Sequence, residues 1–245
     1  MEEQTRFIVF TAGFNSMQWV HKNIKSVKKQ NYNNYIHIIV DDATTDGTSN
    51  EIENNKHKKL VIYRNEKNIK WISNALKYLP NHIESKEDVI VIVDMDDWLA
   101  NENVLKILHK KYTKQKLWMT YGNYAVYNNN SIIKKPFKRT KLDNKRTVRG
   151  GSYIHLRTFK SFLWNAINKD DLKGPNGKYV SCTYDRAIMY PMMEMCPEDK
   201  IYHFEKVLYI YNNSNILSVR KVMGQHQRDL KKWFLGKPSY KVLEK

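Results

Sequence analysis

Three carboxylates crowd into four positions at Asp94-Met95-Asp96-Asp97. Such a cluster carries a repulsive cost unless a cation offsets it. Carboxylate oxygens suit the hard divalent ions Mg2+ and Mn2+ better than zinc, and an ion held there would bridge a diphosphate whose charge grows as it leaves. The cluster directly follows Val89 to Val93, an unbroken apolar run of the kind a strand buried on both faces requires. A second acidic pair, Asp41-Asp42, ends another strand-like run, Tyr35 to Val40. A carboxylate there accepts an imide N–H or a ribose hydroxyl, which suits a nucleoside. Simpler roles stay open: Asp97 could cap the helix carrying Val104, Leu105 and Leu108, and the acids near Asp46 could bond their own turn backbone.

The elements around these acids alternate. Arg6 to Thr11 predicts a strand, and Asn15-Ser16 can cap a helix with Met17, Val20, Ile24 and Val27 on one face. Thr44 to Gly47 predicts a turn and Thr48-Ser49 a helix start, followed by a strand at Leu60 to Tyr63 and a helix at Trp71 to Tyr78. This alternation predicts an α/β fold, a mostly parallel sheet with helices on both faces. Ligands bind such sheets beyond the carboxyl ends of the strands, and both acidic clusters fall at that edge. Further on, Trp118 to Tyr127 predicts a strand, Lys134 to Arg149 a basic loop, His155 to Ile167 a helix with strand-like residues before it, and Asp185 to Met195 a second helix. Ile201 to Tyr211 is extended, and Asp229 to Leu235 suggests an amphipathic tail.

A chain of 245 residues fits one domain of 1–245 and can bury a large core without staples. Cys182 and Cys196 form no CxxC pattern and suggest free thiols in a reducing compartment. No leader peptide is visible, and no segment approaches about 18 consecutive apolar residues, so a soluble, cytoplasmic protein is expected. The net charge of +17 points to something anionic: nucleotide phosphate, an acidic glycan, an anionic membrane face touched peripherally, or nucleic acid. A solvated Lys-rich surface would give the same charge.

The ordered segments VDDATTDGT (40–48) and VDMDDWL (93–99) resemble the family-2 glycosyltransferases of GT-A fold, whose pattern is a VDDGSxDGT segment and then a DxD-type segment. The likeness continues through WMTYGNY (118–124), SYIHLRTF (152–159), YDRAIMYPMMEM (184–195) and VLYIYNNSN (207–215). The resemblance implies a nucleotide-sugar half over 1–115, an acceptor and catalytic half over 116–215, and a basic helical tail over 216–245. It implies a UDP-sugar or GDP-sugar donor touched by Thr11, Ala12, Asp41, Asp42, Asp94, Met95 and Asp96, with Mn2+ or Mg2+ on Asp96 and Asp97. Asp185 stands where the family carries its general base, so the implied reaction is an inverting transfer to a hydroxyl of a glycan, glycoprotein or glycolipid. Three positions depart from the pattern: Ala43 replaces a glycine, Asn68-Ile69-Lys70 lacks one, and Asn212-Asn213 stands where relatives carry a metal-reaching His.

Other residues fit less decisively. His155 and Arg157 suit a donor phosphate or acceptor, since Arg chelates phosphate, or simple packing. Glu194 is a second candidate base, and His203 or His226 could substitute for the missing ligand. A sugar-nucleotide pyrophosphorylase would need a Gly-rich phosphate loop after the first strand, but Thr11-Ala12-Gly13-Phe14-Asn15 has one glycine. A nucleic-acid module would interleave aromatics in its basic stretch, which holds only Phe137, so no specific nucleic-acid partner is expected.

Overall fold

A computed structural model describes residues 4–128, 131–134, 155–217 and 223–244. The first half runs β1 (Phe7–Gly13), α1 (Met17–Lys28), β2 (Tyr35–Asp41), α2 (Thr48–Asn54), β3 (Leu60–Arg64), α3 (Lys70–Tyr78), β4 (Val89–Ile92), β5 (Trp98–Leu99) and α4 (Val104–Gln115). The second half runs β6 (Met119–Asn128), β7 (Ser131–Lys134), β8 (Arg157–Lys160), α5 (Ser161–Ala166), α6 (Tyr184–Met195), β9 (Ile201–Asn212) and α7 (Gly224–Gly236).

The strands form one sheet in the order β3-β2-β1-β4-β8-β6-β9-β5, with β7 paired to β6. β3, β2, β1 and β4 are parallel. Beyond them the sheet is mixed: β8 is antiparallel to β4 and β6, β9 is parallel to β6, and β5 is antiparallel to β9. Gly13 lies opposite Asp41 and Phe10 opposite Ile92, so β1, β2 and β4 finish side by side with both acidic clusters on one edge.

Alternation along β1 explains the two helical layers. Ile8 and Phe10 pack with Ile72 and Ala75 of α3 and with Ile188 and Met192 of α6. Phe7 and Val9 pack with Val27 of α1 and with Leu105 and Leu108 of α4. Leu230 and Phe234 of α7 join the first of these clusters. Both cysteines are buried and free. Among the described residues, no helix is long and apolar enough to cross a membrane.

Several local expectations need revision. Residues 157–160 form a strand where a helix over His155 to Ile167 was expected. Thr158 and Phe159 suit a ladder, and Arg157–Lys160 pairs fully along β4 while Thr158 and Phe159 also meet β6, so tertiary pairing overrides helical periodicity. The N-cap position of α4 is Asn103, so Asp97 does not cap that helix. Ser16 sits at the N-cap position of α1 without a side-chain cap bond. Asp46 satisfies that end instead, accepting the Met17 N–H at 3.1 Å, and also accepts the Thr48 N–H at 3.0 Å at the start of α2. Met17 is exposed rather than part of the apolar face. Gly47, with φ of 92°, supplies the left-handed residue before α2. Of the expected basic loop, Lys134 closes β7 and 135–149 lie outside the described residues.

Candidate active site

The acidic residues follow β4 in a turn closed by the Asp97 N–H on the Asp94 carbonyl, 2.9 Å. The far end of β9 and the segment after it hold the Asp97 and Asp96 carboxylates, and the start of α6 holds that of Asp94. Asp97 is buried, accepting the Asn212 N–H at 2.7 Å on one oxygen and the Tyr209 hydroxyl at 2.7 Å on the other. Asp96 accepts from the Asn215 amide at 2.7 Å. Asp94 accepts from the Tyr184 hydroxyl. Burial pushes all three carboxyl groups up, and neighbouring carboxylates add to it, Asp185 for Asp94, Asp94 for Asp96, and Asp96 with Asp94 for Asp97. Asp96 rises to about 6 and Asp97 stands well above the usual carboxylate range. The Arg157 charge beside Asp94, and hydrogen bonds from Tyr184, Asn215, Asn212 and Tyr209, oppose the rise without cancelling it. Asn212 thus serves the site through its main chain.

Beside the acids lies a buried cation. Arg157, at the start of β8, donates to the Tyr184 hydroxyl at 3.2 Å and to His155 Nε2 at 3.1 Å, and lies 3.9 Å from Asp185. Burial alone would lower the Arg157 pKa, but Tyr184, Asp185 and Asp94 more than reverse this, so the guanidinium stays charged. Tyr184, the first residue of α6, stacks on Trp71 with centroids 4.0 Å apart. Asp185 follows it, about one-third exposed, near the positive end of that helix. Asp94 and Asp185 therefore flank one guanidinium. Tyr184 had no signal of its own in the sequence beyond sitting next to Asp185.

Among the described residues, one group could hold a metal ion: Asp94, Asp97 and His155, whose ligand atoms lie within 4.8 Å of one another. His155 stacks on Tyr209 at 4.3 Å, and burial, then the Arg157 charge, pushes its pKa well down and keeps it neutral. Because arginine only donates, Nε2 carries the lone pair, while buried Nδ1 has no partner among the described residues. Two crowded carboxylates fit a divalent cation, and His155 ligates it where the ion takes the place of the Arg157 N–H at Nε2. Asp97 belongs to this group, whereas the Asp96 carboxylate is turned toward Asn215. His203 lies against Tyr121 and His226 near Ser181, both outside the group.

Of the remaining sites predicted from sequence, Thr11, Ala12, Asp41, Asp42 and Met95 fall along the same edge, whereas Glu194 lies at the far end of α6. Asp41 accepts the Thr44 N–H at 3.0 Å and bonds Ser49. Asp42 accepts from the Asn65 amide, Ile69 N–H and Lys70 N–H, each at 2.9 Å, and so caps α3. The Thr11 side chain is fully buried, and Ala12 is buried beside it. The Met95 side chain packs with Val20, Ile24 and Ile39 beneath Gly13, where a Cβ would fall 2.5 Å from that of Met95. Glu194 is buried and accepts the Tyr240 N–H at 2.9 Å, holding the C-terminal segment.

The model of Glycosyl transferase family 2 matches residues 8–187, from β1 into α6, taking in the acidic turn, Arg157 and Asp185. The chain belongs to this family. An Escherichia coli family relative, the UDP-Glc:alpha-D-GlcNAc-diphosphoundecaprenol beta-1,3-glucosyltransferase WfgD, is 30% identical over 131 residues, 52% of this chain and 49% of the relative. The chain thus spans about half the length of that curated relative. Among solved structures, S. aureus TarS 1-349 in complex with UDP-GlcNAc superposes with a TM-score of 0.64 at 17% identity, covering 86% of this chain and 59% of that one. The mannosyltransferase PcManGT from Pyrobaculum calidifontis, in complex with GDP-Man and Mn2+, superposes with a TM-score of 0.55 at 16% identity, covering 83% and 58%. At these identities the likeness establishes the shared GT-A fold.

Proposed function

We propose that this family-2 protein is a cation-dependent, inverting glycosyltransferase moving a sugar from a UDP-sugar or GDP-sugar to a hydroxyl of a glycan or glycolipid. The observation that carries the reading is the pairing of Asp94 and Asp185 around Arg157, which puts an acid turn able to hold a cation beside a partly exposed carboxylate at a helix start. Asp185 takes the proton of the acceptor hydroxyl as its oxygen bonds to the anomeric carbon and the bond to the diphosphate breaks. A cation held by Asp94, Asp97 and His155, with Asp96 alongside, would stabilise negative charge on the departing diphosphate. Arg157 positions Tyr184 and supplies a fixed positive charge next to the donor phosphates. Asp41, Asp42 and the main chain of Thr11, Ala12 and Met95 line the nucleoside end.

The UDP-GlcNAc and GDP-Man complexes of the TarS and PcManGT relatives, and the UDP-Glc in the name of WfgD, support a nucleotide-sugar donor. The lipid-linked diphosphate in the WfgD name and the net charge of +17 suit an anionic acceptor, with peripheral contact to an anionic membrane as a further part of the reading. Neither a nucleotidyltransferase nor a nucleic-acid-binding reading gains support from the family match. The test is a thermal-shift and calorimetric panel of UDP- and GDP-sugars with Mn2+. Stabilisation by at least one donor, matched in competition by its nucleoside diphosphate, is expected. Indifference to every nucleotide in a folded protein overturns the reading.

A further inference from the structure

The acidic turn is held from its front by β9 and from its back by a single amide. Asn23 of α1 is fully buried, and its Nδ2 donates to the Asp94 carbonyl and the Asp97 carbonyl, each at 3.0 Å. Its Oδ1 lies 3.5 Å from the Thr11 hydroxyl, itself 3.2 Å from His37 Nε2, and all three side chains are buried. The donors in this chain run one way. Asn23 Oδ1 can only accept, so Thr11 donates to it, and the neutral His37 then donates its Nε2 proton to Thr11. This leaves His37 Nδ1 a bare lone pair, matching its lack of a partner among the described residues. A flipped Asn23 amide would face its oxygen to two carbonyl oxygens, so both ends of the chain fix its orientation.

We propose that Asn23, oriented by Thr11, is a positioning residue that holds the main chain of the acidic turn so that Asp94, Asp96 and Asp97 present their carboxylates together. The role rests on the reading of that turn as the cation and diphosphate site, yet Asn23 itself touches neither. Carboxylates this close push the turn apart before a cation arrives, and two hydrogen bonds to its carbonyls resist that opening.

Asn23→Leu keeps the approximate size and removes both donors. Hydrogen exchange of the Asp94 to Asp97 amides should accelerate about tenfold, as expected for the loss of one to two net hydrogen bonds, while Ile90 to Ile92 stay protected. Affinity for Mn2+ should fall about 10–100-fold, the usual worth of a group that orients metal ligands, and the kinetic loss should fall on donor KM more than on kcat. Thr11→Val keeps both Asn23 donors but removes the hydroxyl that anchors its Oδ1, and should move the same readouts in the same direction by less. This second variant decides the matter if Asn23→Leu does not fold. Unchanged turn exchange in a folded variant overturns the proposal. If the wild type binds neither Mn2+ nor UDP, the functional reading fails separately, because turn exchange still reports on Asn23.

Discussion

The guanidinium of Arg157 lies 3.9 Å from the Asp185 carboxylate and donates to the Tyr184 hydroxyl, which in turn bonds Asp94. Residues 94, 157 and 185 come from a turn after β4, the start of β8 and the start of α6. One buried cation therefore joins the acid turn to the proposed base. Its full charge offsets part of the crowding among four carboxylates that would otherwise repel.

Asp185→Asn keeps shape and hydrogen bonding while removing basicity. Transfer should fall by about 10²–10⁴-fold, the usual worth of a positioned base, with nucleoside diphosphate affinity and melting temperature nearly unchanged. Single-turnover kinetics with calorimetry would separate the two effects. Near wild-type transfer would place the base elsewhere. Glu194 is the poorer substitute because it is buried and bonded to Tyr240.

Tyr184→Phe tests the link itself. The ring keeps its stack on Trp71, but Asp94 loses a donor and Arg157 an acceptor. Loss of a hydrogen bond to a charged group is worth about 1.5–3 kcal/mol, so kcat/KM should fall by roughly tenfold or more. An unchanged kcat/KM would show that Asp94 and Arg157 hold their places without the hydroxyl.

Much of this geometry was legible before the structure, and the rest was hidden for physical reasons. The strand-then-acid pattern at Asp41 and at Asp94 placed both clusters on the carboxyl edge, because parallel strands share one direction. The strand at 157–160 was hidden because its pairing partners, Val89–Ile92 and Met119–Thr120, are distant in sequence, and four residues with Phe159 as the one apolar member have no decisive period. His155 carried no ligand spacing toward Asp94 and Asp97, since only the path of β8 beside β4 brings it there. Asn23 and Thr11 were invisible as a pair, since a buried amide bonded to a distant turn leaves no periodic trace.

The cation reading makes its own prediction. EDTA should abolish donor turnover, and Mn2+ or Mg2+ should restore it. Asp97→Asn and His155→Ala should each weaken Mn2+ binding, by about 10–100-fold if they are direct ligands, as followed by Mn2+ electron paramagnetic resonance. His203→Ala, on a residue lying against Tyr121, should leave Mn2+ binding unchanged. Full turnover in EDTA by an intact protein would remove the cation from the reaction.

The last prediction concerns His37, whose neutral form anchors the chain of donors to Thr11 and Asn23. Burial, then the positive charge of His57, brings its pKa down to about 3 from an ordinary 6.5. Above pH 6.5 neither the folded nor the unfolded chain protonates it, so the stability is complete there. As the pH falls below 6.5 the unfolded chain takes up a proton that the folded chain refuses. Stability is then lost at about 1.4 kcal/mol per pH unit down to about pH 3. His37→Gln can still donate toward Thr11 but does not titrate. Urea unfolding between pH 7 and pH 4 should therefore show a shallower decline for the variant. The difference between the two slopes isolates His37, because His21, His57, His82 and His155, whose pKa values are also lowered, remain in both proteins. Parallel curves would mean that His37 accepts a proton in the folded state. Its Nδ1 would then become a buried donor without a partner, and the order of bonds behind the acidic turn would have to be drawn differently.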